Sequence, residues 1–245
     1  LCSEFNNYKI EISYDGTHFH GFQKQSDLKT IQSVIEESID LILENYKLNY
    51  AGRTDAGVHA KSQIINLRTS STLNKAFLKS LDSLVGPEIK IKKIQKINNS
   101  FHPRFDAKSR VYKYFLQSSN TSEPYNRNYS YLLKTEIELN ELKSVERLFI
   151  GKKNFKNYSK LRKGQDPLRE ITKSKWSKRD GYFIYTIEGN SFLHNMVRAI
   201  VGCQLAVVEN KISKKELASS LIQPQKKRFN YIAPAHGLYL WKIKY

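Results

Sequence analysis

Cysteine is almost missing from this chain. Its two cysteines, Cys2 and Cys203, are too few and too far apart to read as a zinc cluster. A disulfide is not expected, and the usage points to a reducing, intracellular compartment, cytoplasmic or organellar. Long hydrophobic runs are missing too, so no bilayer span is expected, and no signal-peptide pattern opens the chain. The chain begins at Leu1, so an absent or processed start is expected. His18 and His20 alternate as in a strand, but no second ligand pair accompanies them, so no metal is expected. Acidic residues are scarce: 23 Asp and Glu stand against 41 Lys and Arg, a formal net charge of +18. Such an excess favours an anionic partner, either nucleic acid or an anionic membrane. Without a membrane segment, nucleic acid is the better reading. A compositional bias toward Lys, Asn and Ile accounts for the same charge with no partner at all.

What is present is enough to fold. Hydrophobic residues make up 40% of 245, which supports one large domain or two modest ones. Tyr8, Ile10, Ile12 and Tyr14 alternate with Lys9, Glu11 and Ser13, a strand with one buried face. Asp15-Gly16 then turns the chain. Thr30 caps a helix whose apolar face is Ile31, Val34, Ile35, Ile39, Ile42 and Tyr46. A strand over 63–67, a helix over 73–84 stopped by Gly86-Pro87, and a lysine-studded edge strand over 89–97 follow.

The second half repeats the strand-helix-strand order after a break near residue 107. Residues 111–116 are apolar at every position but Lys113, as in a strand covered on both faces. Leu139, Leu142, Val145, Leu148 and Phe149 form a helical stripe closed by Gly151. Residues 152–169 read as a basic loop carrying Lys160, Arg162, Lys163 and Arg169, with Phe155 and Tyr158 among the cations. A solvated lysine-rich loop explains it equally well. Two strands flank Asp180-Gly181 as a hairpin. The most apolar helix holds Phe192, Met196, Val197, Ile200, Val201 and Leu205; a short helix, the basic cluster Lys226-Lys227-Arg228 and a last strand over 237–244 complete the chain. The fold expected is α/β (α+β) in two similar lobes, 1–107 and 108–245, with largely antiparallel sheets.

One stretch stands out as chemistry. Tyr50-Ala51-Gly52-Arg53-Thr54-Asp55-Ala56-Gly57-Val58-His59-Ala60 holds a single carboxylate on a tight loop, with glycines that let another chain come close. Read alone, it is equally a surface turn with a local Arg–Asp pair. Arg198 lies on a helix otherwise made for burial. A buried guanidinium needs an anion, and Asp55 is the candidate; a snorkelling surface arginine is the alternative.

Gly52-Arg53-Thr54-Asp55-Ala56-Gly57-Val58-His59-Ala60 closely resembles the signature of the TruA family of tRNA pseudouridine synthases. So do Tyr14-Asp15-Gly16-Thr17 through Gly21-Phe22-Gln23 with Gln25, then Thr30-Ile31-Gln32, Phe101–Ala107, Asn190–Arg198 and Gly237-Leu238-Tyr239-Leu240, all in the family's order. The resemblance runs from Tyr14 to Leu240 and is weak over 118–135 and 156–168. It implies lobes whose sheets join side by side, helices on one face and a basic cleft between lobes. It implies an isomerase, an intramolecular transferase converting uridine to pseudouridine in the anticodon stem-loop of tRNA, without metal or other cofactor.

The resemblance further implies Asp55 as the catalytic residue, acting as nucleophile or base. Arg53 fills the space of a flipped base or holds phosphate. Tyr112 stacks on the uracil, Arg198 orients Asp55, and Leu238 packs under the base. Tyr14, Gln23, His59 and Arg104 join Lys160, Arg162, Lys163 and Arg169 at the substrate. The partners implied are tRNA and a second copy of the chain, a homodimer. Two other readings stand beside this one. A catalytically silent RNA-binding protein of the same fold is argued against by intact Asp55, Tyr112 and Arg198. A glycosidic hydrolase needs a second carboxylate, for which Asp15 and Asp106 are the candidates.

Overall fold

A computed structural model describes residues 5–118, 123–224 and 228–245. Cys2, Lys226 and Lys227 lie outside the described residues. The elements are β1 (Asn6–Tyr14), α1 (Ile31–Asp40), β2 (Tyr46–Tyr50), β3 (His59–Thr69), α2 (Lys75–Leu84), β4 (Ile89–Ile97), β5 (Ser109–Ser118), β6 (Tyr131–Leu133), α3 (Leu139–Glu146), β7 (Gly151–Asn154), β8 (Leu168–Arg179), β9 (Tyr182–Gly189), α4 (Met196–Val208), α5 (Lys214–Ser220) and β10 (Leu238–Lys244). This is a mixed α/β fold with mostly antiparallel sheet. The chain forms two compact units: residues Leu1–Lys108 with Leu240–Tyr245, and residues Ser109–Tyr239.

In the first unit β1 is the middle of a three-strand run, β4-β1-β3, with β2 on the far side of β3; each pairing is antiparallel. The alternation in β1 does what its period demands. Tyr8, Ile10, Ile12 and Tyr14 are buried, while Lys9, Glu11 and Ser13 are half-exposed. β4 ends the run, and Lys90, Lys92, Lys93 and Lys96 stud it, charges that discourage pairing with a further strand. Thr30 caps α1 through a capping box with Ser33, and Asn74 caps α2 by accepting from the amides of Ala76 and Phe77. The C-terminal segment returns to this unit: the Lys108 amide donates to the Lys244 carbonyl at 2.8 Å.

Expectation and structure part in two places here. The helix face drawn through Ile42 and Tyr46 is cut short, because α1 ends at Asp40. Asn45 takes a left-handed φ of 52° and turns the chain into β2, where Tyr46 pairs with Thr69. Helical spacing ran on by coincidence into a strand that was not anticipated. His18 and His20 likewise lie in the turn after β1, not on a strand.

In the second unit the strands run β5-β9-β8-β7, all antiparallel, and β6 adds to β5 in parallel. The β8–β9 hairpin turns through Asp180 and Gly181, both at positive φ as its tight turn requires. Trp176 and Tyr185 face each other from these strands with ring centroids 4.9 Å apart, both fully buried. α4 is the core helix, buried at ten of its positions, from Met196 to Ala206. Phe192 precedes it. The basic segment is not one loop: Gly151–Asn154 is a strand whose Lys152 stands opposite Glu170, and β8 already begins at Leu168. Opposite charges across that pair favour the strand over a solvated loop. Cys203 is buried in α4, and burial pushes its thiol pKa well up.

Candidate active site

The Asp55 loop is built by the segment that follows β1. At its start the Tyr14 hydroxyl and Thr54 Oγ1 are 2.8 Å apart, both side chains buried. The Phe22 amide donates to the Thr54 carbonyl at 3.1 Å. Phe22 is itself fully buried against Tyr50, with ring centroids 4.8 Å apart. The first amides of α1 reach the same place: Ile31 donates to the Gly21 carbonyl and Gln32 to that of Phe22. A capped helix thus fixes Gly21-Phe22, and Gly21-Phe22 fixes Thr54. Gly21 has a φ of 92°, and a Cβ there would meet the Thr54 carbonyl at 2.9 Å.

The far side of the loop is held from the other end of the same turn. Asp15 Oδ1 accepts from the Thr17 amide at 2.9 Å and from its hydroxyl at 2.5 Å. That Asx-turn brings Gly16 so close to Val58 that a Cβ would lie 2.1 Å from the Val58 carbonyl oxygen. The Gly16 amide donates to His59 Nδ1 at 3.1 Å, and Asp15 Oδ1 stands 3.1 Å from the same nitrogen. The Gly57 amide donates to the Phe19 carbonyl, and Val58 closes a turn onto the Asp55 carbonyl at 3.1 Å. Behind the loop, Gln63 donates its side-chain amide to the Gly52 carbonyl at 2.8 Å.

Asp55 sits half-buried at the centre of this frame. Thr54 before it and Gly57 and Val58 after it are hydrogen-bonded, so its carboxylate is presented with little backbone freedom to lose. Arg53 is exposed, with its Nε donating to the Tyr50 hydroxyl at 3.4 Å. Gln23 is half-buried beside Phe22. Tyr14 and His59, both expected at the substrate, are 5% and 2% exposed, and the contacts above place them as supports of the loop. Arg104 lies on an exposed turn of this unit, on Phe101–Ala107.

The second unit carries the remaining residues. Tyr112 is half-buried on β5, its ring edge-on to Phe192 at 5.1 Å, so the Asn190–Arg198 motif supports the tyrosine directly. Arg198 is half-buried and pinned at two points: Nε donates to the Ala233 carbonyl at 2.8 Å and Nη1 to Asn195 Oδ1 at 3.0 Å. Asn195 reaches it from a left-handed residue capping α4. Leu238 is buried at the start of β10. Gly237 before it packs so tightly on Tyr114 that a Cβ would lie 2.7 Å from the ring.

Lys160, Arg162 and Lys163 are exposed. Arg169 is half-buried, its Nη1 donating to the carbonyls of Asp166 and Leu168, and burial lowers its pKa. The aromatics expected among these cations are not available to a ligand. Phe155 and Tyr158 are at most 1% exposed, and the Tyr158 hydroxyl is 2.9 Å from Ser220 Oγ. Thr54 and Phe22 brace the Asp55 loop in the first unit and Phe192 meets the Tyr112 ring in the second; none of them is assigned these roles by the sequence. All three lie inside the quoted motifs, but nothing local marks which residue each would meet.

Among the described residues, no group of three or more His, Cys, Asp or Glu could hold a metal ion. Among the same residues, no helix is long and apolar enough to cross a membrane. Comparison with known proteins agrees with the motifs. The family model for tRNA pseudouridine synthase matches residues 11–106 and 146–245. A tRNA pseudouridine synthase A of Dictyoglomus thermophilum is 35% identical, covering 98% of this chain and 99% of its own. One from Borreliella afzelii is 36% identical over 96% and 97%, and a tRNA pseudouridine synthase A 1 of Bacillus cereus is 32% identical over 97% and 98%. A solved Cbf5-Nop10-Gar1 complex overlaps 73% of this chain and 38% of its own at 11% identity, with a TM-score of 0.36, too distant to carry an argument. On the family model and these near end-to-end relatives, the chain belongs to the tRNA pseudouridine synthase family.

Proposed function

We propose that this chain isomerises uridine to pseudouridine in tRNA, with Asp55 carrying the chemistry. The observation that carries the reading is the match over almost the whole length of relatives named for that reaction. The braced Asp55 loop is consistent with it.

The reaction neither adds nor removes atoms overall. The bond from the ring nitrogen to the sugar breaks, the ring turns, and its fifth carbon bonds to the sugar instead. That carbon gives up a proton, and the freed nitrogen takes one. A carboxylate beside sugar and ring serves as nucleophile in the first step or as base in the last. Flipping the base out costs a few kcal/mol. In this reading Arg53 fills the vacated space or holds phosphate, Tyr112 stacks on the uracil, and Leu238 packs beneath it. By the same resemblance, Arg198 orients Asp55. Lys160, Arg162, Lys163 and Arg169 hold the RNA backbone. The target in the anticodon stem-loop, the homodimer and the cytoplasmic or organellar location belong to the same proposal and rest on the family resemblance.

The test is Asp55→Asn, with tritium release from tRNA labelled at the fifth carbon of uridine. Release should fall by several orders of magnitude while tRNA binding stays near the parent's. Turnover within an order of magnitude of the parent removes Asp55 from the chemistry. An inactive parent that binds tRNA favours the silent RNA-binding reading.

A further inference from the structure

The turn over residues 101–107 leaves one large apolar ring outside the core. Phe105 is 74% exposed. A lone exposed apolar side chain needs no explanation by itself. This one differs because its turn is locked in place. The Asp106 amide donates to the His102 carbonyl at 3.1 Å, and the His102 amide donates back to Asp106 Oδ2 at 2.9 Å. The Arg104 amide donates to His102 Nδ1 at 3.2 Å, and the Tyr245 hydroxyl donates to the Pro103 carbonyl at 2.8 Å. Phe105 is therefore presented on a hydrogen-bonded turn, with little backbone entropy left to lose on binding.

Rings and cations lie around it, and the neighbouring Asp106 carboxylate accepts from the His102 amide. The His102 ring lies 4.3 Å from the Phe105 ring, and the Arg104 guanidinium lies 5.7 Å from its centroid. In the same unit Lys9 Nζ stands 4.0 Å from the Tyr245 ring and 5.6 Å from that of Phe101. Rings for π-faces and cations for phosphates are the two parts of a single-strand platform. A second copy of a chain with net charge +18 would bring like charge to this patch, whereas RNA brings the opposite sign.

We propose that Phe105 is a stacking platform for an unpaired base of the bound tRNA, with Arg104 on an adjacent phosphate. This rests on the reading that the chain acts on tRNA. It adds a contact that depends on base stacking to the electrostatic ones proposed for the basic segment.

The experiment compares Phe105→Ala, Phe105→Leu and Phe105→Tyr with the parent. It measures tRNA dissociation constants across a salt series, pseudouridine formation in the same samples and oligomeric state by sedimentation. Alanine and leucine should each weaken binding about tenfold, tyrosine should keep it, and the salt slope should not change, because stacking releases no counterions. Arg104→Ala should reduce the slope by about one. Affinity within twofold of the parent for the alanine variant, or full affinity with leucine, overturns the platform. So does a changed oligomeric state with unchanged affinity, which would assign the ring to a second copy. A parent that binds tRNA without isomerising it refutes the proposed function and leaves the Phe105 comparison decisive on its own. A parent that does not bind tRNA refutes both.

Discussion

The Tyr14 hydroxyl and Thr54 Oγ1 meet at 2.8 Å across 40 residues of chain. Tyr14 ends a core strand and Thr54 immediately precedes Asp55, so one buried hydrogen bond ties the loop to the most regular part of the first unit. The Phe22 amide on the Thr54 carbonyl makes the attachment two-point.

Tyr14→Phe removes that bond and leaves the buried Thr54 hydroxyl without its partner. The expected cost is about 1–2 kcal/mol of stability. The rate of isomerisation at saturating tRNA should fall several-fold with little change in KM, because the loop loosens while the RNA surface stays. Denaturant melts and single-turnover assays read the two effects separately. A variant as stable and as fast as the parent would show that the bond does not position Asp55.

Gly16→Ala forces a methyl group to 2.1 Å from the Val58 carbonyl oxygen, so backbone must move on one side or the other. Overpacking of this kind costs about 1–3 kcal/mol or more. The strain falls directly on the His59 side of the Asp55 loop, and activity should drop further than stability alone explains. Gly52→Ala is the control: it has open space around its Cβ position and should be milder.

Neutralising Lys160, Arg162 and Lys163 together tests the exposed part of the basic segment. If each meets a phosphate, the slope of log affinity against log salt should flatten by about two to three. Affinity should fall most at low salt. An unchanged slope would make these three a solvated surface.

Asp82 gives a pH handle away from the site. Burial acts to raise its pKa, but hydrogen bonds from Lys90 and from the Ile91 amide at 2.8 Å together outweigh it and hold the carboxylate below its usual value. Its contribution to stability is therefore present above the ordinary aspartate pKa and lost as pH falls through the lowered one. Asp82→Asn should cost about 1 kcal/mol or less near neutrality. The difference should shrink as pH falls below the ordinary aspartate pKa and vanish once the lowered one is passed. Parallel melts at neutral and acid pH check it; a difference that grows in acid would contradict the sign.

Much of the local structure was legible beforehand. Alternation placed β1, Thr30 placed the start of α1, and Asp180-Gly181 placed a hairpin, because each depends on residues a few positions apart. The motif string around Asp55 was legible for the same reason, since its glycines and turn formers act on their own backbone. What only the tertiary structure decided is which side chain each residue meets. Phe155 and Tyr158 sit among lysines in sequence yet are buried in the second unit, while Phe105 is left in solvent. Helical spacing continued past Asp40, but pairing with β3 claimed Tyr46 for a strand. The motif around Tyr14 says nothing of Thr54, yet the Tyr14 hydroxyl meets it. Burial and hydrogen-bond partners are set by segments that arrive from tens of residues away, and no local pattern encodes them.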